Sequence, residues 1–348
     1  MKLSVGIVGL PNVGKSTLFT ALTKQKVDAS NYPFCTIDPN VGIVPVPDGR
    51  LDKLNSVYHA DKVVPTVVEF VDIAGLVQGA HKGEGLGNTF LSHIREVDAI
   101  CQVVRGFTDP DVLHVSGAVD PQSDIETINA ELIFADLKTL DQRIADLEPR
   151  ARSGDKEPRK LLEAYRTVRI PLDQGVVLSA ADMSAEERAI IADLHLLTIK
   201  PMLYVLNVDE DAAATEVPGR IVICAKVESE LAEMPEKEAA EYLQTLGLQL
   251  SGLDRLIAAA YERLGLITFF TAGPTEVHAW AVERGSTAPQ AGGKIHSDFE
   301  EKFIRAEVIS WEDIVRYRGE QGAKENGKMR IEGREYVMQD GDVVYIRI

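Results

Sequence analysis

Short apolar runs alternate with helix-period segments at both ends of the first three-quarters of this chain. Leu3-Ser4-Val5-Gly6-Ile7-Val8 predicts a buried strand, and residues 18–24 read as the first turns of a helix. Residues 66–71 and 99–104 repeat the strand pattern, with helical spacing over 90–97 between them. The pattern resumes at 202–206 and 220–223, and Ser251-Gly252-Leu253-Asp254 opens a helix ending near Leu264-Gly265. Near-continuous apolar strands separated by helices imply a parallel sheet covered on both faces, an α/β fold.

The period changes between these two blocks. From Asp120 to about Thr198, Ile125, Ile128 and Leu132, then Ile133, Leu137, Leu140, Ile144 and Leu147, recur three or four apart. A charged break over 149–158 precedes a second helix with Leu161, Leu162, Tyr165, Val168 and Leu172. Ser184 and Glu187 form a capping box for a third helix carrying Ile190, Ile191, Leu194 and Leu197. The segment predicts an antiparallel, coiled-coil-like helical insertion. Beyond Gly265, strands at 268–271 and 276–280, a loop at 288–293, a short helix at 297–304 and a turn plus strand at 336–346 predict a small α+β domain. The pattern thus predicts an α/β domain of residues 1–119 and 199–266, an insertion of 120–198, and a C-terminal domain of 267–348.

Composition narrows the picture. A length of 348 residues at 45% hydrophobic content supports more than one core. The net charge of -17 argues against general coating of nucleic acid, so any RNA contact needs a local basic patch. Two patches exist: Arg150, Arg152, Lys156, Arg159, Lys160, Arg166 and Arg169 at the tip of the insertion, and Arg316, Arg318, Lys324, Lys328, Arg330 and Arg334 near the C-terminus. A merely solvated tip is the alternative for the first. Cys35, Cys101 and Cys224 lack metal spacing and read as reduced thiols. No leader pattern or bilayer-length apolar run is evident, so a cytoplasmic protein without a membrane partner is expected.

The chemistry concentrates after the first strand. Gly9-Leu10-Pro11-Asn12-Val13-Gly14-Lys15-Ser16-Thr17 fits G-x-x-x-x-G-K-[ST], between a strand and a helix as that motif requires. Backbone N–H groups of residues 12–17 and the helix N-terminus would cradle phosphate, Lys15 would reach the β- and γ-phosphates, and Ser16 would ligate Mg²⁺. Thr36, in the loop Asn31-Tyr32-Pro33-Phe34-Cys35-Thr36-Ile37-Asp38, is the candidate second hydroxyl ligand of a first switch; an ordinary loop threonine is the alternative. Asp72 closes a strand in Asp72-Ile73-Ala74-Gly75, where a carboxylate would hold the metal through water and Gly75 N–H would meet the γ-phosphate. The glycines at 79, 83, 85 and 87 fit a second switch.

Two later strand ends complete the site. Guanine readers carry N-K-x-D and S-A-K there; this chain has Asn207-Val208-Asp209-Glu210 and Cys224-Ala225-Lys226. Asn207, Val208, Glu210, Cys224, Ala225 and Lys226 are therefore the expected base-side residues, with the guanine-reading Asp replaced by Glu210. If adenine is preferred, Glu210 must point away from the base and Asn207 is free to serve N7. Leu76 follows D-x-x-G where Ras-type switches place a glutamine, so water must be oriented from elsewhere. His114 is the first candidate and His81 the second; a packing or capping role is the alternative for His114.

These motifs, together with Gln339-Asp340-Gly341-Asp342, resemble the YchF group of Obg-like P-loop proteins over essentially the whole chain. The N-x-x-E form at Asn207 to Glu210 is the most discriminating of them. The resemblance implies a G-domain fold, a helical insertion and a C-terminal β-grasp domain of the TGS type. It also implies ATP hydrolysis and association with ribosomes or other translation components. A guanine-nucleotide switch that tolerates Glu210, and a ribosome- or RNA-binding adaptor with a mainly conformational nucleotide site, are the competing functions.

Overall fold

The computed structural model describes residues 3–24, 40–73, 86–109, 119–152 and 156–348. The described residues fall into two units, one within 1–24, 38–42 and 69–256, the other within 43–68 and 257–348.

In the first part of the chain β1 (Ser4–Val8), α1 (Lys15–Thr23), β2 (Val41–Pro45), α2 (Arg50–Tyr58), β3 (Lys62–Val64), β4 (Val67–Asp72), α3 (Leu86–Glu96) and β5 (Ala99–Arg105) follow one another. The helices α4 (Pro121–Arg152), α5 (Lys156–Asp173) and α6 (Ala185–Ile191) come next, then β6 (Met202–Asn207), β7 (Ile221–Ile223), α7 (Ala225–Leu231), α8 (Glu236–Thr245) and α9 (Gly252–Arg263). One sheet has the order β2-β4-β1-β5-β6-β7, parallel from β4 to β7. Every residue of β5 is buried, as a central strand covered on both faces requires. Because β1 has β4 on one side and β5 on the other, its carboxyl end opens at the switch point where such sheets bind ligands.

The helical insertion shares a core with this sheet. Val8, Ile73, Phe90, Ile94 and Ile100 pack in one cluster with Ile128, Leu132, Leu140, Leu162, Val168 and Leu172. Cross-pairs of α5 with α4 run in opposite order, Arg159 to the Ala151 carbonyl, Arg166 to Glu148 and Arg169 to Asp141, which makes the two an antiparallel hairpin. Asp136 anchors its base by accepting hydrogen bonds from the Leu197 and Thr198 amides, both at 2.8 Å. The break expected over 149–158 is shorter, because α4 runs to Arg152 and α5 already holds Pro158. Proline in a first turn forfeits no hydrogen bond, and Pro149 in a last turn forfeits only one. The capping box of Ser184 and Glu187 is present, with the two-way bonding of that motif.

The second unit continues with β8 (Leu266–Ala272), β9 (Glu276–Glu283), α10 (Ala288–Ile295), α11 (Ser297–Glu301), β10 (Arg305–Ser310), α12 (Trp311–Arg316), α13 (Glu320–Glu325), β11 (Arg330–Glu332) and β12 (Asp342–Arg347). Its mixed sheet has the order β11-β10-β12-β8-β9-β3, with β12 parallel to β8 and β3 parallel to β9. Residues 288–293, expected as a loop, are helical: Thr287 and Gln290 form a capping box and Pro289 sits in the first turn, which outweighs the cost of Gly292 and Gly293. The helix expected at 297–304 ends at Glu301. Residues 43–68, placed by sequence with the first domain, cluster with this unit. Leu51 and Leu54 pack on Phe270, Val277 and Ile314. Arg50 bridges Asp48 and Asp340 at 2.7 Å each, and the hydroxyls of Tyr58 and Tyr345 meet at 2.8 Å.

Candidate functional site

The glycine-rich turn leaves β1 and enters α1 at Lys15. Asn12 has φ 66° and Gly14 φ 87°, so the loop doubles back through the left-handed region twice. Asn is among the few side chains that tolerate it, and Gly is the residue that adopts it without strain. A Cβ on Gly14 would also collide with the Asn207 side-chain nitrogen. Gly9 is needed for a different reason: a Cβ there would lie 2.7 Å from the Val103 carbonyl oxygen. A hollow of about 530 Å³ is lined by Leu10 to Asn12 and Gly14 to Thr17. Val13 is buried beneath the loop, and Thr17 is exposed.

Lys15 and Asp72, from the head of α1 and the end of β4, form an ion pair. Both are largely buried, so each charge offsets the desolvation of the other. Ser16 follows in the first turn of α1. Its hydroxyl and the Asp72 carboxylate are hard oxygen donors. Among the described residues no three His, Cys, Asp or Glu side chains converge on a metal site. Thr36, Gly75, Leu76, His81 and His114 lie outside the described residues.

A cleft of about 930 Å³ continues from the loop to the ends of β6 and β7. Asn12, Gly14 and Thr17 line one end, and Asn207, Val208, Glu210, Cys224, Ala225 and Lys226 the other. The structure thus brings the expected phosphate-side and base-side residues to one cleft. Asn207 is 5% exposed and spans the two ends: its amide nitrogen donates to the Val13 carbonyl at 3.0 Å, and its oxygen accepts from Ala225 N–H at 3.0 Å. Its carboxamide is a strut between the phosphate loop and the second base-side turn, beyond any contact with a base. Val208 spends its N–H on the Ile223 carbonyl at 2.8 Å. Cys224 is the residue before α7 and is buried; burial pushes its thiol pKa up, so it stays protonated.

Sequence reasoning missed the far wall. Phe107, Thr108 and Asp109 follow β5 into the cleft. Buried Arg105 holds this turn: its guanidinium lies 4.3 Å from the Phe107 ring centroid and donates to the Phe107 and Asp109 carbonyls at 3.1 and 3.2 Å. The buried arginine at a strand end was the available signal. The neighbouring acids are also engaged. Asp209 accepts from the Thr108 amide at 3.0 Å, and Glu210 accepts from the Tyr242 hydroxyl at 3.0 Å.

Comparison with known proteins agrees in extent. A family model described as 50S ribosome-binding GTPase matches residues 4–145, and the YchF-GTPase_C model, described as a protein of unknown function, matches 266–348. The chain is 52% identical to the "Ribosome-binding ATPase YchF" of Bacillus subtilis (strain 168), over 100% of this chain and 99% of the relative. It is 51% identical to the protein of the same name from Escherichia coli O157:H7, over 99% and 98%. The solved structure of the Schizosaccharomyces pombe YchF GTPase superposes with a TM-score of 0.88 at 37% identity, covering 99% of this chain and 98% of that one.

Proposed function

The chain belongs to the YchF family, and from that premise we propose that it binds and hydrolyses ATP and associates with ribosomes as a translation-linked switch. Relatives carry both words, ATPase and GTPase. The observation that favours ATP is the partner of Glu210. Guanine selection needs a carboxylate offered to N1–H and the N2 amino group, whereas adenine has a lone pair at N1. Glu210 already accepts the Tyr242 hydroxyl through one carboxylate oxygen, at 3.0 Å. Asn207 keeps a second N–H, beyond the one given to Val13, that suits a purine N7.

P-loop triphosphatases typically work with a divalent cation, and the oxygen donors of Ser16 and Asp72 fit Mg²⁺. Thr36 is proposed as a further ligand. When bound, Mg²⁺ supplies charge neutralisation at the β- and γ-phosphate oxygens. The chain's own part is to bind and orient. Loop N–H groups and the α1 N-terminus hold the phosphates, and Lys15 exchanges Asp72 for phosphate oxygens. His114 is proposed to orient the attacking water.

The mixed sheet supports reading residues 267–348 as a TGS-type β-grasp domain, joined by 43–68. The helical insertion is proposed as residues 120–198 and the nucleotide domain as the remainder. Ribosomal RNA is the proposed contact of Arg316, Arg318, Lys324 and Lys328, which have no ion-pair partner among the described residues. The insertion tip is a weaker candidate, because Lys160, Arg166 and Arg169 are paired with Glu186, Glu148 and Asp141. A cytoplasmic location is proposed along with the ribosomal partner.

Turnover with and without ribosomes tests this reading. ATP hydrolysis should need Mg²⁺ and rise when ribosomes, which the protein should accompany in sedimentation, are added. Hydrolysis and sedimentation both indifferent to ribosomes would remove the switch. In the same assay His114→Ala should keep ATP affinity and lose about 10²-fold in single-turnover rate, the low end for a general-acid–base group. An unmodified rate, with His81→Ala slowed, moves the role to His81.

A further inference from the structure

Both carboxylates at the end of β6 are held by protein donors, and they are held on different sides. Asp209 is taken by the turn after β5, through Thr108 N–H at 3.0 Å and its hydroxyl at 3.3 Å. Glu210 is taken by α8, through the Tyr242 hydroxyl at 3.0 Å. The backbone at Glu210 is fixed as well, since residues 210–212 form a single tight turn in which Ala213 N–H donates to the Glu210 carbonyl at 3.1 Å. What remains free is the side-chain torsions, and the hydrogen bond to Tyr242 selects among them. Glu210 lines the cleft, and so does Leu246 just beyond α8, the helix from which Tyr242 reaches the carboxylate.

We propose that Tyr242 is a positioning residue for base selection: its hydroxyl holds the Glu210 carboxylate off the hydrogen-bonding edge of the purine, which admits adenine and denies guanine its acceptor. This deepens the ATP reading above and rests on it. The chemistry is one of competing acceptors and donors. A free Glu210 carboxylate, one methylene longer than aspartate, would swing toward the cleft, accept from guanine N1–H and the N2 amino group, and repel the lone pair of adenine N1. With Tyr242 as its donor, neither happens. The same contact shows in the phenol, whose pKa is raised chiefly by the hydrogen bond to Glu210. Tyr242 acts through Glu210 and needs no contact with the nucleotide.

The test is calorimetric titration of the full-length protein with non-hydrolysable ATP and GTP analogues in Mg²⁺ buffer. Tyr242→Phe removes the hydroxyl alone. The ATP:GTP affinity ratio should fall by about three- to tenfold, the worth of one solvent-facing hydrogen bond, mostly through tighter GTP binding. In a Glu210→Ala background the same substitution should leave the ratio unchanged, because the group it acts through is gone. Glu210→Ala alone, which leaves α8 untouched, should not lower the ratio. An unchanged ratio in Tyr242→Phe, an equal fall in the Glu210→Ala background, or a fall in Glu210→Ala alone overturns the proposal. If the unmodified protein already prefers GTP, the failure belongs to the ATP reading itself.

Discussion

Lys15→Ala should lower single-turnover ATP hydrolysis by about 10²–10³-fold, the cost of deleting one preorganised charge stabiliser at a transition state. Lys15 begins α1 and reaches Asp72 at the end of β4. The substitution strips positive charge from the phosphate site and leaves the Asp72 carboxylate, 19% exposed, without its ammonium partner. The second effect repels triphosphate, so affinity falls with rate. Lys15→Arg keeps the charge, but the planar guanidinium does not reproduce the compact ammonium, so it should recover affinity better than rate. Rapid-quench hydrolysis at saturating ATP separates the two. A rate within threefold of the unmodified protein would show that the chemistry does not pass through this lysine.

Asn207→Ala should damage the whole cleft. It orphans the Val13 carbonyl and the Ala225 N–H, both now satisfied at 3.0 Å by one buried side chain. Each unsatisfied buried group costs about 1–3 kcal/mol, so denaturant unfolding should lose about 2–4 kcal/mol, part of the sum being relieved by water. ATP and GTP affinities should fall together, by tenfold or more, because the strut sets the cleft before any base is read. Asn207→Asp should be no better: it keeps the acceptor for Ala225 but sets a carboxylate against the Val13 carbonyl oxygen. A loss confined to one nucleotide would contradict the strut and return Asn207 to a pure base contact.

The phosphate end was legible because phosphate chemistry dictates residue types at fixed spacing. Gly9, Gly14, Lys15 and Asp72 are each required by a close approach, a left-handed turn or a charge, and those demands are written in the local sequence. The base end was legible only in outline. The replacement of aspartate by Glu210 was plain, but its partner Tyr242 lies 32 residues away and meets it through tertiary packing. The helix carrying Tyr242 did leave a local trace, with Pro235 at its start and Gly247, φ 73°, just past its end. The strut role of Asn207 was hidden for the same reason, since Val13 is 194 positions from it.

The small domain shows the opposite limits. Its strands β8 and β9 announced themselves, while α10 was concealed by two glycines despite the Thr287 and Gln290 capping pair. The adoption of residues 43–68 had no sequence signature. Leu51 and Leu54 look like any amphipathic helix, and only the partners Phe270 and Ile314 decide which core they enter. Periodicity reports that a face is apolar and leaves open what covers it.

The most direct measurement of the central claim is the base preference of the unmodified protein. Non-hydrolysable ATP and GTP analogues are titrated calorimetrically into the purified chain with Mg²⁺. ATP should bind tighter by about five- to a hundredfold, because guanine would meet no acceptor for its buried donors, a loss of about 1–3 kcal/mol. GTP binding as tightly as ATP, or more tightly, would contradict it.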